Sequence, residues 1–373
     1  MIRIAHIITR MDRGGAPDIV RLLAERLDPQ RFEVTLIYGM TREPSQATRR
    51  FLARQDLRAH MVPSLRRCVN PFFDVPAFLA LLNILKRGKF DIVHTHTAKA
   101  GVLGRIAARM AGARTVIHSP HGHDFYGYFG PMGSVLIVWA ERFAGRYCDC
   151  IHVLTQLERE EMVKRRICPE EKIQVIASGV SLDAAAEKKD GRDLCVGFVG
   201  RLEPVKGPDY FIEAAAVIAR ELPGVKFVVA GDGSMRSALE ARSQALGLAG
   251  KVRFIGWVED INAALGQIDI LVVPSRNEAV GRVILEAAAR GVPSVAARVG
   301  GIPEVVRDKE TGLLVAGHDV QALAFGVLSL LKDEALRWKM GTQASSWVRR
   351  EFGEEKMLEA FKQLYIGCEH DAS

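Results

Sequence analysis

Short runs of consecutive apolar residues recur along this chain, alternating with segments whose apolar positions fall every three or four residues. Ile2–Ile8 is such a run; a glycine pair follows, then Ile19, Leu22, Leu23 and Leu27 at helical spacing. Val34–Tyr38, Ala59–Val62, Asp91–His94, Thr115–His118 and Cys150–Leu154 repeat the run, with helical patterns near Asp74–Lys86, Ala100–Ala111, Ser134–Tyr147 and Leu157–Arg165 between them. Unbroken apolar runs fit strands buried on both faces, and strands alternating with helices fit parallel sheets joined by crossovers. The rhythm lapses over 178–192, a small-residue and charged stretch that reads as a linker, and restarts with Cys195–Val199, Phe227–Ala230, Val252–Ile255, Ile270–Val273 and Ser294–Ala297. The pattern predicts two tandem Rossmann-like, doubly wound α/β domains, 1–178 and 179–353, with a helix in 354–373. Ligands of such sheets bind outside the carboxyl ends of the strands, so a substrate is expected in an interdomain cleft.

Composition narrows the class. With 48% apolar and 25% charged residues in 373, the chain is an ordinary globular sequence and not a disordered one. The net charge of +7 is uneven: residues 1–170 hold 26 basic against 16 acidic side chains, and the remainder 25 against 28. Two halves of such different charge are expected to meet different partners. The six cysteines include no C-x-x-C pair, which argues against a disulfide framework or structural zinc and suits a reducing cytoplasm. The opening Met1–Ile8 is too short, and too soon interrupted by Arg10, to read as a signal peptide, and no run approaches the ~20 apolar residues of a membrane span. The expectation is a cytoplasmic protein, soluble or surface-associated.

The second half carries candidate phosphate chemistry. Arg201 and Lys206 follow the strand Cys195–Val199 and precede a helix starting near Asp209. Two cations beside a helix N-terminus offer fixed positive charge and free N–H groups to a diphosphate; two ordinary surface charges are the alternative. Gly231 and Gly233 sit at the next strand end, where glycine lets backbone approach a ligand, although Arg236 replaces the third glycine of a dinucleotide fingerprint. Glu278 lies in the loop after Ile270–Val273 and Glu286 eight residues on, in the helix that begins by Arg282. Their carboxylates can accept hydrogen bonds from sugar and ribose hydroxyls, or else cap a helix and face solvent. In the first half, Arg13-Gly14-Gly15-Ala16 follows the first strand, and five histidines (His94, His96, His118, His121, His123) cluster in two stretches assigned to loops after strands. Zinc is one reading of such a cluster, but the spacings lack the acidic or cysteine ligands of a hydrolytic zinc site.

Taken jointly, Arg201 and Lys206 in a G-R-L-x-P-V-K-G run, the A-G-D-G turn, the pair Glu278/Glu286 and G-G-I-P-E followed by T-G-L-L-V resemble glycosyltransferase family 4 over nearly the whole chain. The resemblance implies a retaining, metal-independent transferase of the GT-B fold, with a nucleoside-diphosphate sugar as donor, UDP the default nucleotide, and no cofactor. It assigns Arg201, Lys206, Gly15, Gly281 and Arg282 to the donor diphosphate and Glu278 to the hydroxyls of the transferred sugar. Glu286 falls on the ribose, and the base between the Gly231–Gly233 turn and Trp257. His121, of the H-G pair, would contact the donor sugar and be needed for transfer, with Asp124 and Lys99 in support. Ala279 departs from the family by standing where many relatives have glycine. The last helix would cross back onto the first domain.

The H-T-H-T-A-K-A-G and H-G-H-D-F-Y-G-Y-F-G stretches and the Leu65–Pro71 loop resemble the branch that builds bacterial surface polysaccharides, whose acceptors are usually lipid-linked saccharides. A polyprenyl-diphosphate carrier would account for the basic half, with Arg66 and Arg67 on the acceptor side. Arg66, Arg67, Phe72 and Phe73 form one basic-aromatic loop, and Phe125, Tyr126, Tyr128 and Phe129 precede the amphipathic stretch Ser134–Tyr147. Such segments suit peripheral docking on the cytoplasmic face of a membrane. Nucleic acid ranks low as a partner. A nucleotide-sugar epimerase or hydrolase on the same scaffold, and a non-enzymatic sugar-binding protein, remain the alternatives.

Overall fold

The computed structural model describes residues 1–122, 131–183 and 193–370, and the chain divides into two compact units. The first opens with β1 (Ile2–Ile8), α1 (Gly15–Arg26), β2 (Phe32–Gly39), α2 (Gln46–Leu52), β3 (Arg58–Val62) and α3 (Pro71–Gly88). It continues with β4 (Ile92–His96), α4 (Ala98–Met110), β5 (Thr115–Ser119), α5 (Pro131–Gly145), β6 (Cys150–Val153), α6 (Gln156–Lys164) and β7 (Ile173–Val175). The second contains β8 (Cys195–Val199), α7 (Pro208–Glu221), β9 (Lys226–Ala230), α8 (Arg236–Ala245), β10 (Val252–Gly256) and α9 (Ile261–Leu265). Then come β11 (Ile270–Val273), α10 (Arg282–Ala289), β12 (Ser294–Ala297), α11 (Ile302–Val305), β13 (Gly312–Val315), α12 (Val320–Lys332) and α13 (Glu334–Glu351). The last helix, α14 (Glu354–His370), starts in the second unit and joins the first from Met357.

Both sheets are parallel and doubly wound, ordered β3-β2-β1-β4-β5-β6-β7 and β10-β9-β8-β11-β12-β13. Each reverses its winding once, between β1 and β4 and between β8 and β11, and loops at such a switch point diverge to leave room for a ligand. Two layers cover the first sheet. On one face Ile2, Ile4, Ile92, Ile117 and Cys150 pack with α1 and with Met357, Leu358, Phe361 and Tyr365 of α14. On the other, Ala5, Ile7, Val93 and Val116 pack with α3 and α4. Small residues let α4 come close: a Cβ on Gly101 would lie 2.3 Å from His118 Cε1, and one on Gly104 2.7 Å from Thr95 Cγ2. A fully buried ion pair, Arg105 to Glu141 at 2.7 Å, joins α4 to α5.

One boundary corrects the sequence reading. β4 does not stop at His94 but runs to His96, hydrogen-bonded in register with β1 (His6 beside His94, Ile8 beside His96). His94 and His96 are therefore strand residues, and so is His118 in β5; all three are fully buried and are not loop residues. Imidazole tolerates such positions because a neutral ring carries no net charge into the core; His94 and His96 are hydrogen-bonded at both nitrogens and His118 at Nδ1. His123 and Asp124, with Phe125, Tyr126, Tyr128 and Phe129, lie outside the described residues, as does 184–192 of the linker.

Candidate active site

In the second unit the site grows from loops at the carboxyl ends of β8, β9 and β11. The β8 and β9 loops are zipped together: Gly200 donates its N–H to the Ala230 carbonyl and Leu202 to that of Asp232, both at 2.9 Å. Gly231 holds φ +141°, and a Cβ there would stand 1.9 Å from the Gly200 carbonyl oxygen, so no larger residue fits. The Gly231 N–H donates to the Gly256 carbonyl at 2.7 Å, which brings the glycine turn beside Trp257, whose surface is 38% exposed. The three residues assigned to the base are thus neighbours.

Lys206 ends a one-turn 3-10 helix, Pro204–Lys206, and Gly207 closes it in the left-handed region at φ +63°. A Cβ on Gly207 would lie 2.2 Å from the Pro274 carbonyl oxygen, so glycine lets the β8 and β11 loops touch at the switch point. That contact sets Lys206 Nζ on the Glu278 carboxylate as an ion pair, the two side chains 23% and 11% exposed. Ser275 Oγ donates to the same carboxylate oxygen at 3.2 Å. The Glu278 carbonyl accepts the Gly301 N–H at 3.1 Å, and a Cβ on Gly300 would come within 1.8 Å of it. The G-G-I-P-E stretch therefore clamps the Glu278 backbone while its carboxylate turns to Lys206.

Arg276 braces the same loop and was not singled out from the sequence. Its guanidinium bonds both Asp209 oxygens, at 3.0 and 2.6 Å, and lies 4.3 Å from the centre of the Tyr210 ring. Gly281, at φ +75°, caps α10, and Arg282 faces Glu286 one turn along at 3.6 Å. Arg201 is exposed, and its side chain has no partner among the described residues.

In the first unit the polar groups gather at the β1/β4 switch point. Thr9 Oγ1 and Thr97 Oγ1 are 2.9 Å apart, and Thr9 Oγ1 also accepts the Ala100 N–H at the start of α4. Thr97 and His121, the residues just beyond β4 and just after Pro120, sit at φ +68° and +60°; non-glycine residues rarely hold such angles unless the surroundings impose them. Gly14 precedes α1 as its N-cap with φ 150°, and Gly15 opens the helix. Lys99 is turned inward: its ammonium pairs with Asp74 and donates to the Cys68 carbonyl. Arg66 lies 3.9 Å over the Phe73 ring, and Arg67 is exposed.

Beneath this end of the sheet run two rows of hydrogen-bonded histidines. In one, Tyr365 Oη is 2.8 Å from His94 Nδ1, His94 Nε2 is 2.7 Å from Ser119 Oγ, Ser119 Oγ is 2.7 Å from His152 Nδ1, and His152 Nε2 is 2.9 Å from the Ile176 carbonyl. The carbonyl can only accept, which fixes every proton in the row. His152 donates from Nε2, Ser119 donates to His152 Nδ1, His94 donates from Nε2 to Ser119, and Tyr365 donates to His94 Nδ1. Burial holds the rings neutral, with His152 pushed down to about 4 and His94 well below its ordinary value, and it keeps the Tyr365 phenol protonated. Tyr365→Phe removes the donor and leaves His94 Nδ1 bare in the core. The expected loss is about 1–3 kcal/mol of stability, read as a lower urea midpoint with the slope unchanged.

In the second row His6 Nδ1 is 2.9 Å from His96 Nε2, and His96 Nδ1 is 2.8 Å from His121 Nε2. His6, His94 and His96 bring ligand atoms within 4.8 Å of one another, a spacing that could suit a metal. Five of their six ring nitrogens are already in hydrogen bonds. His6, Ser119, His152 and Tyr365 were not picked from the sequence. The available signal was the polar i, i+2 pair His94/His96 inside an apolar strand.

Two doubly wound parallel-sheet units in tandem, with polar and glycine-lined loops at their switch points, fit the GT-B class of fold. Solved structures share the fold: the Anabaena protein HepE in its UDP-glucose complex superposes with a TM-score of 0.83 at 20% identity, covering 98% of this chain and all of that one. Sucrose-phosphate synthase from Thermosynechococcus elongatus gives 0.83 at 22% identity, with both chains covered in full. The profile "Glycosyltransferase Family 4" matches residues 13–184 and "Glycosyl transferases group 1" residues 181–347. An Escherichia coli enzyme, UDP-Gal:alpha-D-GlcNAc-diphosphoundecaprenol alpha-1,3-galactosyltransferase, is 30% identical over 98% of this chain and 97% of its own. A D-inositol 3-phosphate glycosyltransferase of Mycobacterium sp. (strain KMS) is 36% identical over 65% of this chain and 60% of its own. The chain belongs to glycosyltransferase family 4, and it is a glycosyltransferase.

Proposed function

We propose that this enzyme transfers a hexose from a UDP-sugar, with retention and without a metal, to a polyprenyl-diphosphate-linked saccharide. The observation that carries the reading is the Lys206–Glu278 pair at the second switch point. A donor diphosphate arriving there competes with Glu278 for the ammonium. Once Lys206, with Arg201, holds phosphate, the carboxylate is released to accept hydrogen bonds from the sugar's hydroxyls. Negative charge grows on the leaving diphosphate as the glycosidic bond breaks, and fixed cations with the amides opening α10 stabilise it as a metal otherwise would. Gly15, Gly281 and Arg282 are assigned to the same diphosphate, Glu286 to the ribose, and Gly231, Gly233 and Trp257 to the base. His121 touches the transferred sugar, and Asp124, Arg66 and Arg67 belong to the acceptor side. Lys99, held by Asp74, supports the loop there and does not reach outward. Full-length similarity to an enzyme named for an undecaprenol-linked acceptor supports the carrier.

The test is a donor screen across UDP-, GDP- and ADP-sugars with and without a GlcNAc-diphosphoprenol acceptor. Product should form only with a UDP-sugar and acceptor together, with the anomeric configuration kept. Rapid consumption of donor alone would point to a hydrolase or epimerase.

We further propose peripheral docking on an anionic membrane. No helix among the described residues is long and apolar enough to cross one. Instead α5 turns Val138, Glu141 and Ala144 inward and leaves Met132, Val135, Leu136, Trp139 and Phe143 exposed, a stripe at helical spacing flanked by Arg142 and Arg146. Phe72, Val75 and Leu79 of α3 are also exposed. An amphipathic helix with cations beside its apolar face suits the interface of anionic lipid. Replacing both Leu136 and Trp139 with Glu should lower co-sedimentation with phosphatidylglycerol vesicles about tenfold or more, since each side chain gives up roughly 1.5–3 kcal/mol on leaving an apolar phase. Turnover of a short-chain, soluble acceptor should stay unchanged.

A further inference from the structure

The loop that carries Glu278 grips the turn that carries Lys206 through a second contact, made by Arg276. Backbone supplies part of it: the Arg276 N–H donates to the Val205 carbonyl at 2.8 Å, and the Asn277 N–H to the same oxygen at 3.4 Å. The Arg276 guanidinium supplies the rest. Its Nη1 donates to the Pro204 carbonyl and to Asp209 Oδ1 at 3.0 Å, and its Nη2 to Asp209 Oδ2 at 2.6 Å. Pro204 begins the one-turn 3-10 helix that Lys206 ends, and Asp209 lies in the first turn of α7. One side chain of the β11 loop therefore holds the turn on both sides of the lysine. The guanidinium lies 4.3 Å from the centre of the Tyr210 ring, and the Tyr210 hydroxyl is 2.7 Å from His318 Nδ1, which ties the ring down in turn.

The Lys206–Glu278 ion pair cannot keep the two loops together during turnover. In the reading given above, the donor diphosphate takes the ammonium and the carboxylate turns to the sugar, so the substrate itself opens that pair. The Arg276 contacts use neither group. They leave Lys206 and Glu278 free to change partners while the turn and the loop stay in register. A charge-stabilising group acts at full strength only when it needs no rearrangement as the bond breaks. We propose that Arg276 is a positioning residue for sugar transfer: paired with Asp209, it fixes the turn that presents Lys206 to the leaving diphosphate. The effect on transfer rests on the assignment of Lys206 to that diphosphate; the hold on the turn rests on the contacts alone.

Two other uses of the same side chain fit the geometry less well. As a stability element it is weak, because the Arg276 and Asp209 side chains are 29% and 35% exposed, and ion pairs so open to solvent add little to a fold. As a direct ligand of the diphosphate it is already committed. Its contacts to Pro204 and Asp209 occupy both terminal nitrogens, and the Asp209 carboxylate neutralises the charge that a second anion would need. A guanidinium suits the positioning role because its planar fork can hold a carboxylate and a carbonyl together, which an ammonium does not do in the same fixed geometry.

Arg276→Met keeps an unbranched apolar stem beside Tyr210 and removes the guanidinium. It should lower kcat about 10–100-fold with the donor KM held within about threefold, the scale of loss when a reacting group is misplaced by about 1 Å. The thermal midpoint should move by no more than about 4 °C. The double variant Lys206→Ala/Arg276→Met should fall within about threefold of Lys206→Ala alone, because a residue that acts through Lys206 then has nothing left to position. Losses that multiply would make Arg276 an independent ligand and overturn the proposal, as would wild-type kcat in Arg276→Met. Hydrogen exchange read by mass spectrometry on the full chain without ligands tests the hold itself. The Lys206 and Gly207 amides, which donate to the Glu203 and Pro204 carbonyls, should exchange at least about fivefold faster in Arg276→Met, while β8 and β9 keep their wild-type rates. Unchanged exchange at 206 and 207 overturns the proposal. Should Arg276→Met fail to fold, Asp209→Asn, which turns one acceptor into a donor facing the guanidinium, carries the same expectations in both measurements. Because exchange needs no donor, normal transfer by Lys206→Ala together with faster exchange in Arg276→Met defeats the diphosphate assignment and leaves the hold on the turn standing.

Discussion

Lys206→Ala should lower kcat/KM for sugar transfer by about 10²–10³-fold, the usual scale for losing one preorganised charge-stabilising group at a leaving oxyanion. Chemistry should suffer more than binding, because the charge on the diphosphate grows as the bond breaks. The fold should survive. Lys206 ends a short surface turn whose shape is set by Gly207 against Pro274, and none of those backbone contacts involves the ammonium. Glu278 is left with Ser275 as its side-chain hydrogen-bond donor and enough exposure to recruit water. Steady-state kinetics beside a thermal melt separate the two effects. Normal transfer by a folded Lys206→Ala chain would refute the diphosphate assignment. Lys206→Arg should not restore full activity, since the planar guanidinium cannot occupy a point-charge position in the same way.

The first unit should lose its stability as the pH falls from 7.5 to 5.5. His6, His94, His96, His118 and His152 are all held neutral by burial, well below their ordinary value. The folded chain therefore binds fewer protons than the unfolded chain at any pH below about 6.5, and stability must fall as pH falls. Each ring contributes on the order of 1 kcal/mol over those two pH units, so the five together approach the whole stability of an ordinary domain. The penalty vanishes above pH 7.5, where both states leave the rings uncharged. Urea titrations followed by circular dichroism at half-unit pH intervals measure it. A midpoint that stays flat down to pH 5.5 would mean that the folded chain accepts protons in the row.

The sequence was most informative where function depends on backbone. Glycines at 207, 231 and 300 are dictated by carbonyls within about 2 Å of any Cβ, so the loops that carry Lys206 and Glu278 are written into residue identity. Alternation of buried runs and helices likewise announced the strand–helix order. Less legible were contacts between residues far apart in the chain. Nothing near His94 points to Tyr365, 271 residues away, although the two are hydrogen-bonded. Histidine in a strand also looks like a polar residue in a loop, so β4 seemed to end two residues early. Lys99 looked available, but its partner Asp74 lies on α3, and no local pattern shows that pairing.

The packing of α14 has a consequence for synthesis. One face of the first sheet, with Ile2, Ile4, Ile92 and Ile117, is completed by Phe361 and Tyr365. The strands of that sheet have all been made by residue 175. At ordinary elongation rates of roughly 5–20 residues per second, the missing helix follows only after about 10–40 s. Through that interval the nascent sheet has α1 but not α14 on that face, so part of its apolar surface stays uncovered while the second unit is being translated. Holding that face off other nascent chains is work for a ribosome-associated chaperone, and a late stall in translation would strand the first domain half-built however well its own strands had paired.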